Sequence, residues 1–456
     1  MKNKRNTGLF LTIGLIVLVL GVLGWFLITI FESEKPVVQL APLPEFLKGE
    51  QEFSLKASDM KRGLKSIKVS LKQGSREITA FEKEFPFKGF CNAEGFHQFE
   101  TAFTIDPSRL NLAQGRVDLQ VRVRDYSRRN GGDGNLSRLD HKMTLDTIPP
   151  AIRAISRLHY VNVGGSGLVV YQTSSDSVKS GVYVNDRFFP GYPHPDSPEG
   201  RHVCYFGIPV PGQKKYNIHL WAEDKAGNQT QASFYCRVKK KRFHTDKINI
   251  TDRFLDKIFP YFAYYLKGMD AENIEKFLKI NQELREKNNS TFFELRDRTT
   301  PERQWEGVWL RLKNAAPMAG FGEKRTYYYD GKEVDRQIHL GVDLASLAHS
   351  QVQAANNGTV IFTGRVGIYG QTVVLDHGQG LASTYSHLSA INVEKGQKIT
   401  KGDVVGTTGR TGLAAGDHLH FGVMVNGLFV NPIEWWDSHW IKDNVTRKLD
   451  LLEEAK

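Results

Sequence analysis

Cysteine is scarce in this chain, and its scarcity excludes two classes of protein module. Only three of the 456 residues are cysteines, namely Cys91, Cys204 and Cys236. Three are too few for a disulfide-stapled scaffold or a cysteine-rich zinc module. Cys204 and Cys236 could pair outside the cytoplasm, which would leave Cys91 over; the sequence leaves this pairing open.

Long apolar runs are also scarce. The mean hydropathy of −0.39 excludes a polytopic membrane protein, and one uncharged run of 23 residues, Leu9–Phe31, is long enough to cross a bilayer as a helix. Lys2, Lys4 and Arg5 precede this run, and no small-residue cleavage motif follows it. We therefore expect an uncleaved anchor over 1–35, with its basic end in the cytoplasm and the bulk of the chain outside the inner membrane, in the periplasm or the extracellular space.

Acidic residues are the minority charge. The chain has 61 lysines and arginines against 50 aspartates and glutamates, a formal net charge of +11. A positive charge favours an anionic partner, which could be nucleic acid, a membrane surface or a cell-wall polymer. The expected anchor and the lack of any nucleic-acid-binding motif argue against nucleic acid, so we expect affinity for an anionic cell envelope.

Alternating apolar and polar residues predict β-structure in the first half of the chain. Val117–Asp125 and Tyr216–Asp224 alternate in the same way, and each runs into a turn. A repeat of ~100 residues built from short strands is typical of tandem immunoglobulin-like sandwiches. We place two such sandwiches at 36–148 and 149–245.

Helical spacing follows the two predicted sandwiches. Ile274, Phe277 and Leu284 recur at that spacing, which predicts a short helical linker over 246–314 whose helix closes at Asn288–Ser290.

Glycines then separate short runs rich in valine, isoleucine and threonine, which predicts a compact all-β domain over 315–440 followed by a tail over 441–456. The predicted fold class is therefore mainly β: an N-terminal transmembrane helix, two immunoglobulin-like β-sandwiches, a short helical linker and a glycine-rich all-β C-terminal domain.

Histidines concentrate in this last domain, which contains seven of the chain's 14. His339 and Asp343 are four residues apart, and His418 and His420 are alternate residues of a predicted strand, so the latter two face the same side. Imidazole and carboxylate groups together are a good ligand set for Zn²⁺. Three protein ligands would leave a fourth position for water, which is the pattern of catalytic zinc sites.

These motifs, in this order, resemble those of the lysostaphin-type zinc metallopeptidases over about residues 318–436. His339 and Asp343 match the family's HxxxD motif, and His418 and His420 match its HxH motif. The resemblance implies the duplicated hybrid motif fold and an enzyme that cuts peptide bonds in peptidoglycan. Two shorter motifs, FGxxR and a closing Asn-Pro, are matched by Phe321–Arg325 and Asn431–Pro432.

The resemblance also implies roles for individual residues. His339, Asp343 and His420 would hold one Zn²⁺ per chain. His387, in a Tyr-x-His-Leu segment, and His418 would be the catalytic histidines, and the sequence does not divide the roles between them.

Other positions of the domain have no such role. Two family positions differ here, where the chain has Gly416-Asp417 before the HxH motif and Gly422 after it. We interpret the remaining three histidines, His349, His377 and His439, as non-catalytic.

The sequence thus predicts a membrane-anchored, zinc-dependent endopeptidase that hydrolyses peptide cross-links of peptidoglycan during cell-wall remodelling. The alternative is a non-catalytic envelope protein on the same fold, which binds the wall or activates another wall hydrolase. The complete set of ligand and catalytic positions favours the enzyme. The expected partners are peptidoglycan peptide stems or cross-links and the membrane, with no nucleic acid; protein partners are not predicted.

Overall fold

The computed structural model describes residues 3–194 and 200–453. Lys2, one of the basic residues expected before the span, lies outside the described residues, as do Met1 and the last three residues of the expected tail. The described chain is mainly β, as predicted. It forms two compact units, one of residues up to 148 together with 225–228, the other of 149–224 and the residues from 229 onward.

The first unit opens with a 28-residue helix, α1, at Asn3–Ile30. Its segment Gly8–Ile30 has 23 residues and a mean hydropathy of 2.8, and none of its most apolar window is buried inside the protein. By length and composition this segment is a candidate membrane span, although a signal sequence passes the same test.

Eight strands, β1–β8, follow α1 in the first unit. They form a three-stranded sheet in the order β1-β3-β6 and a five-stranded sheet in the order β2-β8-β7-β4-β5. Residues of both sheets, such as Phe53 and Val121, belong to one hydrophobic core. Strand β7 confirms the alternation predicted at Val117–Asp125, while the immunoglobulin-like detail stays a prediction. The strands are Val37–Ala41, Phe46–Leu47, Gln51–Ser58, Leu64–Gln73, Arg76–Glu84, Gln98–Ile105, Gly115–Asp125 and Leu136–Leu145.

Ten further strands, β9–β18, open the second unit. They form two four-stranded sheets, β14-β15-β11-β9 and β13-β12-β16-β17, and a parallel pair, β10-β18. Cys204 and Cys236 are free thiols here, and Cys204 is buried in the core. The strands are Ile152–Ala154, His159–Asn162, Ser166–Thr173, Ser177–Val184, Arg187–Pro190, Tyr192–Pro193, Arg201–Gly207, Ile218–Asp224, Gln229–Ser233 and Cys236–Lys239.

The segment predicted as a helical linker begins with a strand, β19, at Thr245–Ile250. Helices follow, but Asn288–Ser290 does not close them, because Asn288 lies inside a helix and its side-chain oxygen accepts a hydrogen bond from the backbone N–H of Ile368 at 2.8 Å. This packing role replaces the predicted terminating role. The helices are α2 at Asp252–Leu266, α3 at Asn273–Leu278, a π-helical turn at Lys279–Leu284, α4 at Arg285–Glu294 and a 3-10 turn at Leu295–Arg298.

The C-terminal domain is built on an eight-stranded sheet in the order β20-β23-β31-β27-β26-β25-β29, with β32 paired to β31. Strands β21 and β22 join β19, and β24, β30 and β28 form a smaller sheet. Strands β20–β32 are Ala316–Ala319, Lys324–Tyr329, Lys332–Ile338, Val342–Ala345, Gln351–Gln353, Gly358–Val366, Gly370–Asp376, Leu381–Leu388, Ala390–Ile391, Lys398–Ile399, Val404–Thr407, Leu419–Val425 and Leu428–Val430.

Helices close the second unit, so the described part of the expected tail is helical. One hydrophobic cluster extends through this unit from Val161 to Leu452, and the domain boundaries at 245 and 314 stay predictions. The closing helices are α5 at Pro432–Trp436, α6 at Ser438–Ile441, a π-helical turn at Lys442–Thr446 and α7 at Arg447–Glu453.

Candidate active site

Neighbouring strands of the eight-stranded sheet bring the three predicted ligands together. Asp343 of β23 lies opposite His420 of β31. His339 comes just before β23, and its Nε2 lies 3.0 Å from Asp343 Oδ1 and 3.0 Å from His420 Nδ1. The Nδ1 atom of His420 is 2.8 Å from Asp343 Oδ1. Two imidazole nitrogens and one carboxylate oxygen therefore converge on one point in a buried position.

The two predicted catalytic histidines lie beside this cluster. The rings of His387 and His418 are 4.8 Å apart, and His418 Nε2 lies 3.6 Å from Asp343 Oδ1. The His387 ring is 5.7 Å from that of His420. All five predicted site residues line a single cavity of about 380 Å³.

A β-bulge directs His387 toward the cluster. Two residues of β27, Ser386 and His387, face the single residue Thr372 of β26. His387 also has a φ of 62°, in the left-handed region that a histidine adopts rarely. Strict alternation would place Ser386 and His387 on opposite faces, and Ser386 already pairs with His420 across the sheet. The irregular backbone at this point therefore allows His387 to share the cavity.

Backbone carbonyl groups determine which nitrogen of three site histidines carries the hydrogen. Because a carbonyl oxygen only accepts hydrogen bonds, the Nδ1 atom beside it must be the donor, and Nε2 keeps a free lone pair. His339 turns that lone pair toward the ligand cluster, and the Nε2 atoms of His387 and His418 carry no hydrogen in this neutral form. The acceptors are the oxygens of Gly320, Thr411 and Gly416, at 2.9, 2.8 and 2.9 Å from the Nδ1 atoms of His339, His387 and His418.

Burial and neighbouring charges favour the metal-binding protonation states. Burial lowers the pKa of His420 to about 4. It also lowers the pKa of His387 well below its ordinary value, and the neighbouring His418 and His420 add to this effect. Burial alone would raise the pKa of Asp343, but His339 and His420 hold it well below its ordinary value. Neutral imidazoles beside an ionised carboxylate are the forms that bind a metal ion.

Arg325 orients a predicted ligand, a role that the sequence motifs did not assign to it. Its Nη2 donates to Asp343 Oδ2 at 3.0 Å, and its Nε donates to Glu323 Oε1 at 3.0 Å. Asp343 therefore turns one oxygen to the arginine and the other to the histidines, which fixes the carboxylate's orientation. The FGxxR match already contained this arginine and was the signal that could have identified it.

Part of the cavity wall comes from outside the predicted catalytic domain. Ile248 of β19, Phe254 of α2, Phe277 of α3 and Arg285 of α4 all line the cavity. Strand β19 reaches this position because it pairs in parallel with β21, 79 residues further along the chain at Thr245 and Lys324. Local sequence patterns do not reveal such a distant pairing, so these four residues were not predicted.

The other three histidines of the domain lie apart from the cluster. His377 is buried, with Nδ1 2.6 Å from the oxygen of Asn357 and Nε2 2.8 Å from Ser383 Oγ. His349 and His439 are exposed. None of the three lines the cavity that holds the cluster.

The donor set fits a zinc ion. A tetrahedral ion with ligands at ~2.0–2.2 Å keeps its donor atoms ~3.3–3.6 Å apart. The three donors here are 2.8–3.0 Å apart, so they need to separate by only a few tenths of an ångström to hold one ion. Gly341 provides the room, because a Cβ atom at this position would lie 2.5 Å from His420 Nε2. Any larger residue there would push against this candidate ligand.

Comparison with known proteins identifies the domain that carries this site. Residues 337–432 match the model of peptidase family M23. Over 97 residues the chain is 38% identical to the DD-carboxypeptidase/endopeptidase Mpg of Neisseria meningitidis serogroup B, and over 96 residues it is 38% identical to the peptidoglycan DD-endopeptidase ShyA of Vibrio cholerae. Each match covers 21% of this chain and 22% of the relative.

One comparison with solved structures covers a larger share of the chain. A putative peptidase M23 from Pseudomonas aeruginosa has a TM-score of 0.39 and 21% sequence identity, with 62% of this chain and 96% of that chain covered. The sequence relatives, by contrast, are matched over about a fifth of their length. From the family match and these relatives we conclude that the C-terminal part of the chain is a peptidase M23 domain of the lysostaphin type.

Proposed function

We propose that this protein is a membrane-anchored, zinc-dependent endopeptidase that hydrolyses peptide cross-links of peptidoglycan. The observation that carries the proposal is the convergence of His339 Nε2, Asp343 Oδ1 and His420 Nδ1 within 2.8–3.0 Å of one another. Two further histidines with free Nε2 atoms lie beside this cluster. The names of the relatives, which include DD-endopeptidases, support the substrate class.

One Zn²⁺ would be held by His339, Asp343 and His420. When bound, Zn²⁺ supplies Lewis acidity, which polarises a substrate carbonyl and lowers the pKa of water toward ~7. Arg325 keeps the Asp343 carboxylate in its ligand orientation through the contact at 3.0 Å. Gly341 leaves the space that the His420 ring occupies.

His387 and His418 would act as the general base and acid of the reaction. The His387 ring stays neutral at neutral pH because burial lowers its pKa, and its Nε2 can accept a proton from the attacking water and return it to the leaving amine. His418 presents Nε2 from the other side, 3.6 Å from Asp343 Oδ1, where its protonated imidazolium form, with a hydrogen on both ring nitrogens, can donate to the developing oxyanion. This division of roles is part of the proposal.

The N-terminal helix would place the enzyme in the inner membrane. Segment Gly8–Ile30 has the length and hydropathy of a span, and Lys4 and Arg5 at its start would stay in the cytoplasm. The units that follow would then meet peptidoglycan in the periplasm or on the cell exterior. The mass of the protein extracted from cell membranes tests this point: an uncleaved chain retains the helix.

The activity is tested with the full chain in lipid nanodiscs, loaded with zinc and incubated with purified peptidoglycan. The parent should release new peptide ends. His418→Ala should lower kcat/KM by about 10²–10⁴ with zinc retained, as expected for loss of a general acid or base. The matched control His439→Ala removes an exposed histidine outside the site and should match the parent.

Two results would overturn the proposal and favour the non-catalytic alternative. One is a folded, zinc-loaded parent that releases no new peptide ends from any peptidoglycan. The other is His418→Ala activity equal to that of the parent, which would assign any hydrolysis to a contaminant.

A further inference from the structure

The loop between β5 and β6 gathers large apolar side chains at one end of the first unit. Phe87, Phe90 and Phe96 are 50%, 67% and 43% exposed, and Met60 in the neighbouring loop is 69% exposed. Apolar side chains that cluster on a protein surface mark a contact site for a partner or a membrane. We call these four residues the apolar collar.

The loop is held in place, so the exposure of the collar is built into the fold. Asn92 is fully buried; its Nδ2 donates to the oxygen of Arg62 at 2.7 Å, and its Oδ1 accepts from the backbone N–H of Lys88 at 2.8 Å. Arg62 Nη1 in turn donates to the oxygen of Cys91 at 2.7 Å. These bonds hold the backbone on both sides of Phe90, which is therefore displayed on a fixed support.

The end of α1 is attached to the same end of the first unit. The backbone N–H of Arg128 donates to the oxygen of Ile30 at 2.7 Å. Ser127 Oγ donates to the oxygen of Glu32 at 2.8 Å, and Asn135 Nδ2 donates to Glu32 Oε1 at 2.9 Å. The helix and the collar are thus connected through a network of side-chain and backbone contacts as well as by the chain.

A contact between two aromatic rings places the collar level with the last turn of α1. The rings of Phe26 and Phe90 have centroids 6.1 Å apart. Phe26 lies four residues before the last residue of α1, which corresponds to ~6 Å along the helix axis. If Gly8–Ile30 crosses a bilayer, Phe90 therefore lies at the level of the last helical turn, where acyl chains meet headgroups and aromatic residues are favoured.

We propose that the apolar collar is a second membrane contact, which inserts into the outer leaflet of the bilayer that α1 spans. The occupant of this surface is phospholipid, because Phe90 stands against a ring of the span itself. Exposed cations lie beside the collar at the level of the headgroups: Lys88 Nζ is 5.9 Å from the Phe96 ring, and Arg128 and Arg129 adjoin the end of the helix. Apolar tips flanked by basic groups suit the phosphate layer.

The inference extends the proposed anchoring of α1 and is independent of the peptidase activity. It is tested on the full chain, expressed in membranes with the photoreactive amino acid benzoylphenylalanine at one position at a time. Phe90→benzoylphenylalanine should give a phospholipid adduct after irradiation, detected by mass spectrometry. Val17→benzoylphenylalanine, in the middle of α1, is the positive control. Ser75→benzoylphenylalanine is the negative control, because Ser75 is exposed at the far tip of β4, ~30 Å along the strand.

Each outcome of the cross-linking experiment either supports or overturns the collar proposal. A lipid adduct at positions 17 and 90, with none at 75, supports the collar. An adduct at 17 with no lipid adduct at 90, or with a protein adduct at 90, overturns it. The absence of a lipid adduct at 17 would show that α1 does not lie in the membrane, and it would overturn the collar proposal as well. Hydrolysis of peptidoglycan by the same preparation shows separately whether the peptidase proposal stands.

Discussion

Two clusters of metal-ligand-type side chains lie in the two units of this protein, and they are built differently. Glu32, Asp59 and Asp125 meet in the first unit, and His339, Asp343 and His420 meet in the second; in both, the three ligand atoms lie within 4.8 Å of one another. By distance alone the clusters are alike.

The hydrogen bonds that the ligand atoms accept distinguish the two clusters. In the first cluster Asp59 Oδ1 accepts from the backbone N–H groups of Arg62 and Gly63 at 2.7 and 2.8 Å. Asp125 Oδ1 accepts from the backbone N–H groups of Ser127 and Asn135 at 2.9 and 2.7 Å. These carboxylates satisfy the backbone of three turns, which is a structural role common to aspartate.

In the second cluster no backbone donor approaches the three ligand atoms within the described residues. The donors face one another, and the outer atoms of His339 and Asp343 are held by Gly320 and Arg325. Ligand side chains of a metal site are typically oriented in this way: hydrogen bonds hold their outer atoms, and their ligand atoms are left free for the metal. The comparison teaches that closeness of ligand atoms does not define such a site; what else those atoms bond does.

The largest effect expected from this comparison is the loss of zinc in Asp343→Ala. The change removes the one carboxylate of the second cluster and leaves Arg325 Nη2 without its acceptor, while Arg325 Nε keeps its bond to Glu323. We expect no bound zinc and no peptidoglycan hydrolysis, measured by elemental analysis of the purified full chain and by release of peptide ends. Retention of stoichiometric zinc would contradict the ligand assignment.

Asp125→Ala should act on stability alone. The side chain is fully buried, and its loss leaves buried N–H groups without acceptors at 1–3 kcal/mol each, so we expect unfolding of the first unit to become easier by about 3 kcal/mol. Urea denaturation monitored by hydrogen exchange of β4 and β7 measures this. A fall in zinc content at unchanged stability would instead mean that the acidic cluster holds the metal.

Arg325→Met should weaken the second cluster without abolishing it. Groups that orient a metal ligand typically contribute 10–100-fold in metal affinity or activity, and we expect a loss in that range in a zinc-chelator competition. Arg336→Met, which removes an exposed arginine paired with Glu333, is the matched control. Equal zinc affinity in both variants would show that Arg325 has no orienting role.

The smallest effect is a dependence of stability on pH. Burial lowers the pKa of His377 to about 4, against an ordinary value of ~6.5. The folded state therefore resists protonation of His377, so the stabilisation from this residue is complete above pH ~6.5, falls as the pH drops and levels off near 4. Between pH 7 and 5.5 His377 alone should cost the second unit about 1 kcal/mol, in addition to the contributions of other buried histidines such as His420.

The pH dependence expected from Glu32, in the acidic cluster of the first unit, has the opposite sign. Burial raises its pKa, as do Asp125 and Asp59, so its contribution is present at low pH and is lost as the pH rises through the folded-state pKa. Denaturation of the parent at pH 7 and 5.5, beside His377→Gln, separates the two units. A pH dependence of the second unit unchanged in His377→Gln would show that other groups cause it.

The sequence allowed the site to be predicted where chemistry is local. The spacing of His339 and Asp343 and the alternation of His418 and His420 follow from the geometry of a short turn and a strand. Strand alternation likewise predicted β7, where the burial pattern follows the residue pattern.

What could not be predicted depends on distant parts of the chain. The bulge that redirects His387 is set by its pairing with Thr372 on another strand, and the parallel pairing of β19 with β21 brings Ile248 into the cavity wall. Asn288 illustrates the same point, since its polar side chain suggested a helix end, and a contact with Ile368, 80 residues away, keeps it inside the helix.

The most direct test of this account is anomalous diffraction at the zinc edge from crystals of the full chain grown with zinc. The account predicts one peak per chain, ~2.0–2.2 Å from the donor atoms of His339, Asp343 and His420, and none at the acidic cluster. A peak among Glu32, Asp59 and Asp125, with none at the histidines, would contradict it.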